Sequence, residues 1–258
     1  MCHQAVLEID DLHFSWADQY VPVFGPITLA FENGNITTVL GSNGSGKTTF
    51  LNVISQRLVP TKGHVYVEGK LAKQADFNYM LQDASRLLFP HLKMGENIAL
   101  WTKEAVKRQK LVNELKNILF QDGRILDYHP HKCSGGQRQR AVLCRALAEV
   151  SAFPVTLLDE PFAQISQDVK PKIYRVLHDT VKDAHRTLIM VTHDVAEAVI
   201  VGDRTVVITP DGPRTWDVTN ITNSVSYLAY SELRNDIQRT LFLSGTAQMN
   251  NEKLSQSS

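Results

Sequence analysis

The stretch LGSNGSGKTTF, Leu40 to Phe50, constrains the fold of this chain more than any other. Gly41, Gly44 and Gly46 separate an apolar run, Ile36–Leu40, from a helical pattern over Thr48 to Arg57. Glycines lack Cβ atoms, so successive backbone N–H groups can turn inward and form an anion nest. A helix that begins at Lys47 aims the positive end of its dipole at the same point. Strand, glycine turn and helix in that order imply a mostly parallel α/β sheet.

The rest of the chain repeats that order. Short β-type runs fall at Ala5–Ile9, Ile27–Phe31, His64–Val67, Val155–Leu158, Thr187–Val191 and Thr205–Ile208, with further helical patterns over Lys170–Lys182 and Val195–Val201. Between Asp83 and about His131 the pattern turns to polar helix, as in TKEAVKRQKLVNELKNILF, which reads as a helical insertion dividing the α/β core. Leu233, Ile237 and Leu241 fall four apart and predict one packed terminal helix. The end, AQMNNEKLSQSS, carries too little apolar surface to pack and reads as a disordered tail.

The chain has 258 residues, enough for a full core, and a formal net charge of zero, so no global field argues for nucleic acid. Its longest apolar stretches are too short to span a bilayer, and Met1–Asp11 turns acidic before a signal-peptide core could form. Cys2, Cys133 and Cys144 are odd in number and lack metal-ligand spacing, so a cytosolic setting is expected.

In its strand context, GSNGSGKT meets the P-loop pattern. Gly41, Ser42, Asn43, Gly44, Ser45 and Gly46, with Thr49 behind them, are the expected cradle for nucleotide phosphates. Lys47 is expected to reach the β- and γ-phosphates, and the Thr48 hydroxyl to bind Mg²⁺. In PVTLLDEPF an apolar strand ends in two acids, Asp159 and Glu160. Alone, the pair also fits two carboxylates facing solvent. Beside a P-loop, Asp159 reads as a metal-shell ligand and Glu160 as the general base for an attacking water.

A second anion-ready helix start lies at CSGGQ. Ser134 is a good N-cap, and Gly135 and Gly136 expose backbone N–H groups just before Gln137. One ATP held by the P-loop leaves little room for another clamp from the same chain, so this cradle serves a nucleotide bound to a different subunit.

Ser134, Gly135, Gly136 and Gln137, followed by Arg138, Gln139 and Arg140, resemble the signature motif of ATP-binding cassette (ABC) ATPases. The resemblance runs from about Leu7 to Pro210, with the motifs in the family's order. It implies a P-loop NTPase fold of the ABC type: a mostly parallel sheet core, an inserted helical subdomain at about 83–141 and an N-terminal antiparallel β region. The cassette would occupy residues 1–215, and the terminal helix and tail 216–258. It also implies head-to-tail pairing of two cassettes, with each ATP between one P-loop and the partner's signature. On the same basis Gln82 in YMLQD resembles the Q-loop glutamine that reaches metal and water, His193 in VTHD the switch histidine at the γ-phosphate, and Trp16 in LHFSW the aromatic that stacks on adenine.

Within the family, LLDEPF, GGQRQRAVLCRAL and VTHDVAEAVIVGDRTVVI look most like the ATPase subunits of bacterial importers, the nitrate/sulfonate/taurine group above all. This implies a homodimer or paired cassette, separate membrane permease subunits, a solute-binding protein, and a place on the cytoplasmic face of the membrane. SRLLFPHLKMGENIAL resembles the segment that meets the permease, with Leu87, Leu88, Phe89 and Pro90 as its apolar surface. Two positions depart from the pattern: Cys133 stands where leucine is usual, and Ser166 where an aspartate usually senses the opposite site. The alternative is a soluble ABC ATPase in iron–sulfur assembly, translation or DNA maintenance. A single cassette with a short insert and no basic stripe speaks against it.

Overall fold

The computed structural model describes residues 5–17, 22–41, 44–82, 87–100, 106–209, 212–217 and 234–242. Two sheets sandwich the helix that follows the glycine turn. The smaller sheet is antiparallel, in the order β2 (Phe24–Glu32), β1 (Ala5–Phe14), β4 (Lys62–Val67), β5 (Lys70–Leu71). The larger has β10 (Gly212–Asp217), β9 (Arg204–Thr209), β3 (Ile36–Leu40), β8 (Thr187–Thr192), β7 (Val155–Asp159) and β6 (Phe77–Met80) side by side. All neighbours in it pair in parallel except β10 with β9.

Every residue of β3, β7 and β8 is buried, which is why these strands, Asp159 at the end of β7 apart, are built of apolar residues and threonine and do not alternate with exposed polar ones. The two faces still sort by the strand period of two. Val39, Leu157, Ile189 and Val191 pack towards α1 (Lys47–Ile54) and the antiparallel sheet. Leu158, Leu188 and Met190 pack towards α2 (Met94–Ala99), α3 (Val106–Leu119), α4 (Gly135–Ala148) and α5 (Lys170–Ala184). The helical stretch between β6 and β7 thus forms a layer of its own, with α4 against both α2 and α3.

Three strands were not legible, β6, β10 and the two-residue β5, which is too short to show any pattern. In β6 a buried polar residue interrupts the apolar pattern; the Asn78 amide is satisfied at depth by the carbonyl of Ala146 in α4, at 2.8 Å. β10 contains Pro213, tolerated because the strand sits at the sheet edge, and it crosses the boundary drawn at residue 215. A strand, and not only a helix and tail, therefore follows Pro210. The terminal helix, α7, covers 234–242 and buries Ile237 against Leu40, α6 (Val195–Val201) and β9, with Leu241 partly covered. Leu233 and the expected disordered tail lie outside the described residues.

Strand β1 runs to Phe14, past the end expected at Ile9, and its register against β4 shifts between Asp10 and His13. Gly63 sits opposite that irregularity at φ 85°, and a Cβ there would meet the backbone carbonyls of Asp10 and Asp11. A left-handed φ and a clash with backbone are both costly for any other residue. We expect Gly63→Ala to lose at least ~2 kcal/mol of stability, read as the shift of the denaturant midpoint at unchanged slope. A midpoint within error of wild type would show that the strand can slide to relieve the contact.

Candidate functional site

Four parallel strands end on one edge, and the chemistry-bearing residues leave from those ends. Strand β3 gives onto Gly41 and the glycine turn, β7 onto Asp159 and Glu160, β8 onto His193, and β6 onto Gln82. The register makes them neighbours, with Leu40 beside Thr192 and Asp159 beside Val191. Carboxyl ends of parallel strands are where open α/β sheets bind ligands. A cavity of about 420 Å³ opens there, lined by Gly44, Gly46, Lys47, Thr48, Thr49, Gln82, Glu160 and His193.

The cradle has the conformations its glycines suggest. Gly44 and Gly46 are left-handed, at φ 82° and 85°, and Gly46 is the residue before α1. A Cβ on Gly41 would collide with the Ser45 hydroxyl. That hydroxyl is buried without a hydrogen-bond partner among the described residues. Ser42 and Asn43 lie outside the described residues. Lys47 is buried, and its ammonium donates to the Gly41 carbonyl at 2.9 Å. Burial lowers its pKa, while the charges of Glu160 and Asp159 oppose the shift. The Thr48 hydroxyl donates to Asp159 Oδ2 at 2.8 Å, so a hydroxyl and a carboxylate are already side by side. Burial raises the pKa of Asp159, with the Thr48 bond opposing, Glu160 adding to the rise and Lys47 opposing.

Glu160 adopts φ 47°, a strained value for a side chain of its size. Three backbone bonds fix it: its N–H donates to Val191 O at 3.0 Å, and its carbonyl accepts from Ala163 N at 3.3 Å and from Gln139 Nε2 at 3.2 Å. Its carboxylate meets His193 Nδ1 at 3.2 Å; the histidine is 57% exposed and the glutamate 16%. A carboxylate beside a histidine at the mouth of this cavity has the geometry to take a proton from a water there.

The second cradle stands elsewhere. Ser134 caps α4: its Oγ accepts from Gln137 N at 3.2 Å, and Gln137 Oε1 accepts from Ser134 N at 2.8 Å. Accepting leaves the serine proton free to donate, and the first N–H groups of the helix, at Gly135 and Gly136, have no intrahelical partner. None of Ser134, Gly135, Gly136 and Gln137 lines the cavity. Cys133 is buried and its thiol donates to His129 O at 3.5 Å; burial raises its pKa, with Arg138 opposing. Ser166 is exposed, and its carbonyl accepts from Val169 N and Lys170 N where α5 begins.

Trp16 is also outside the cavity lining. It is 44% exposed and lies edge-on to Phe14, at 4.9 Å between ring centroids. Phe14 stacks on Phe24, and Phe24 meets Phe50 of α1, so an aromatic chain joins Trp16 to the cradle's helix. Of the four residues expected to face a membrane partner, Phe89 and Pro90 are exposed, but Leu88 is buried and Leu87 packs against the same core. Residues 83–86 lie outside the described set. Two clamps hold the following segment. Buried Asn97 donates to the carbonyls of Phe89, Leu92 and Lys93 and accepts from Phe89 N, and Arg145 of α4 donates to Leu87 O at 2.7 Å. The sequence marks neither clamp. A buried glutamate in the apolar helix VAEAVIV, Glu197, is the third feature missed.

This fold and site define a P-loop nucleotide-triphosphatase cassette. The chain belongs to the ABC transporter family, whose profile matches residues 24–163. It is 36% identical, over 72% of its length, to an Fe(3+) ions import ATP-binding protein of Pectobacterium atrosepticum, of which it spans 55%. It is 35% identical to a probable sulfate/thiosulfate import ATP-binding protein of Chlorella vulgaris, over 67% of this chain and 75% of that one. A dimeric bacterial ABC transporter cassette superposes with a TM-score of 0.70 at 24% identity, over 82% of this chain and 98% of the other. The chain spans little more than half the length of the iron-import relatives it matches.

Proposed function

We propose that this chain binds and hydrolyses ATP as the cassette subunit of a membrane importer, paired with a second cassette and acting on separate permease subunits at the cytoplasmic face. The observation that carries this is the separation of the two anion cradles. The Lys47 cavity holds half of the groups a triphosphate needs, and the Ser134–Gly136 helix start is built for an anion yet stands outside that cavity. A nucleotide shared between two copies uses both. No helix among the described residues is long and apolar enough to cross a membrane.

The residues fit Mg·ATP. The orphaned Ser45 hydroxyl, the Cβ-free Gly41 and the left-handed Gly44 and Gly46 suit a phosphate chain. Lys47, drawn back onto Gly41 O, would exchange a neutral carbonyl for phosphate oxygens. Thr48, Asp159 and Gln82 are the oxygen donors that would hold Mg²⁺, whose role when bound is to neutralise charge on the phosphates. Glu160 would take the proton of the attacking water, and His193 would hold the carboxylate and the γ-phosphate side of the cavity in line. Trp16, at the end of its aromatic chain, offers a π-face to the adenine. Phe89 and Pro90 would meet the permease, carried by the Asn97 and Arg145 clamps.

The cargo would be read by a solute-binding protein and the permease. The motifs resemble the nitrate/sulfonate/taurine group, while the relatives found are named for Fe(3+) and sulfate/thiosulfate import. The test is Gly136→Asp in a hydrolysis-blocked Glu160→Gln background. The three nearest atoms a new Cβ would meet all belong to Gln164, the closest being the flexible Oε1 end at 3.2 Å, so we expect the fold to tolerate it. A carboxylate there repels phosphate. We expect monomers to bind ATP normally but to lose ATP-driven pairing in size-exclusion chromatography by more than about tenfold. Pairing as strong as in the background variant would refute a shared site.

A further inference from the structure

Glu160 and His193 sit on separate loops, yet their contact at 3.2 Å needs both loops in register. The loop holding His193 is tied to a buried carboxylate. Thr192, the residue before it, donates its hydroxyl to Glu197 Oε2 at 2.6 Å and accepts from Asp194 N at 3.2 Å. Asp194 in turn caps α6, accepting from Ala196 N and Glu197 N. Glu197 is 6% exposed, and its other oxygen is held from α5 by Lys170 Nζ and by the Tyr174 hydroxyl, each at 3.0 Å.

Tyr174 has a second attachment. Its ring lies edge-on to Phe162, at 5.0 Å between centroids, and Phe162 is fully buried two residues after Glu160. One side chain therefore touches both loops: the ring supports the glutamate's loop, and the hydroxyl reaches the histidine's loop through Glu197 and Thr192. Lys170 neutralises the carboxylate, so the tyrosine hydroxyl is not needed to keep that charge buried. What the hydroxyl adds is direction, because it fixes the Glu197 oxygen from the same ring that carries Phe162. Burial and the carboxylate beside it both push the Tyr174 phenol above its ordinary value, so it stays a donor throughout the physiological range.

We infer that Tyr174 is a positioning residue for ATP hydrolysis, holding the Glu160–His193 pair in register by joining Phe162 to the Glu197–Thr192 chain. This rests on the function proposed above. Tyr174 does not line the cavity, so its loss should act on turnover and not on nucleotide binding. A small misplacement of a catalytic group can cost up to about a hundredfold in rate.

The test uses the full chain with Tyr174→Phe, Thr192→Val and the double variant, measuring steady-state hydrolysis, binding of a fluorescent ATP analogue and thermal midpoint. Tyr174→Phe keeps the ring on Phe162 and removes only the hydroxyl. We expect kcat to fall about tenfold, with KM and analogue affinity within about twofold of wild type. Because both groups act through Glu197, the double variant should be no slower than the slower single one. Wild-type kcat in folded Tyr174→Phe overturns the inference, as does a double variant whose loss is the product of the two single losses. A lowered thermal midpoint with unchanged kcat assigns Tyr174 a packing role only and overturns it as well. The underlying function fails separately, if wild-type protein does not hydrolyse ATP or if Glu160→Gln hydrolyses it normally.

Discussion

Glu160→Gln is expected to lose at least about a hundredfold in ATP turnover, the low end of what a positioned general base contributes, while still binding Mg·ATP. The substitution keeps the shape and the ability to accept from His193, but removes the carboxylate proposed to take the water's proton. None of the three backbone bonds that fix the residue at φ 47° involves its side chain, so the strained turn and the Gln139 contact survive. Binding and chemistry therefore separate. With hydrolysis blocked, a nucleotide shared as proposed would remain between the two cradles, and the variant should accumulate as an ATP-dependent dimer that disperses when Mg²⁺ is chelated. Single-turnover hydrolysis and size-exclusion chromatography with and without Mg·ATP read the two halves. Turnover within about threefold of wild type would remove Glu160 from the mechanism. Loss of both turnover and binding would move it into the cradle itself.

That separation depends on which contacts are local in sequence. The glycine turn, the acid pair after β7 and the capped start of α4 were legible because each is a short segment whose backbone needs dictate its residues. Gly44 and Gly46 are glycines at left-handed φ, and Ser134 with Gln137 forms a closed capping box within four residues. The fully buried strands were legible for the same reason, as short segments mostly of apolar residues and threonine. What escaped is non-local. Asn78 makes a poor strand residue until Ala146, 68 positions on, supplies its acceptor. Leu88 looks like a docking residue until it is buried in the core that residues of α2, α3 and α4 share. Glu197 reads as a surface acid on a helix until Lys170 and Tyr174 arrive from α5. In each case a polar group is buried because a distant partner satisfies it, or an apolar one is covered by a distant layer, and no window of sequence contains both.

The same contrast between local motif and folded environment makes Asp159 the most informative single substitution. Its carboxylate is 1% exposed, and burial raises its pKa above the ordinary carboxylate value of 3.8 despite the Thr48 bond and the Lys47 charge. Because the folded value exceeds the unfolded one, the folded protein holds more protons in the window just above pH 3.8. Stability from this group therefore falls as pH rises through that window, and the full cost is present at neutral pH. Asparagine removes the charge but keeps an acceptor for the Thr48 hydroxyl at the same distance. We expect Asp159→Asn, without nucleotide at pH 7.5, to melt at least about 2 °C above wild type, and the gain to shrink as pH is lowered towards 4. With Mg·ATP the order reverses. Wild type should gain about 2.7 kcal/mol at a hundredfold excess over its dissociation constant. The variant, missing the anionic ligand that a hard divalent cation requires, should gain far less, and its hydrolysis should fall by at least about a hundredfold. Calorimetry in the two conditions reads both signs. A variant less stable than wild type without nucleotide would mean that Lys47 depends on Asp159 for neutralisation more than Asp159 suffers from burial. Equal stabilisation of both proteins by Mg·ATP would leave the metal to Thr48 and Gln82. The buried carboxylate is a cost that the folded chain carries alone, and on the proposed function a metal held there would relieve it.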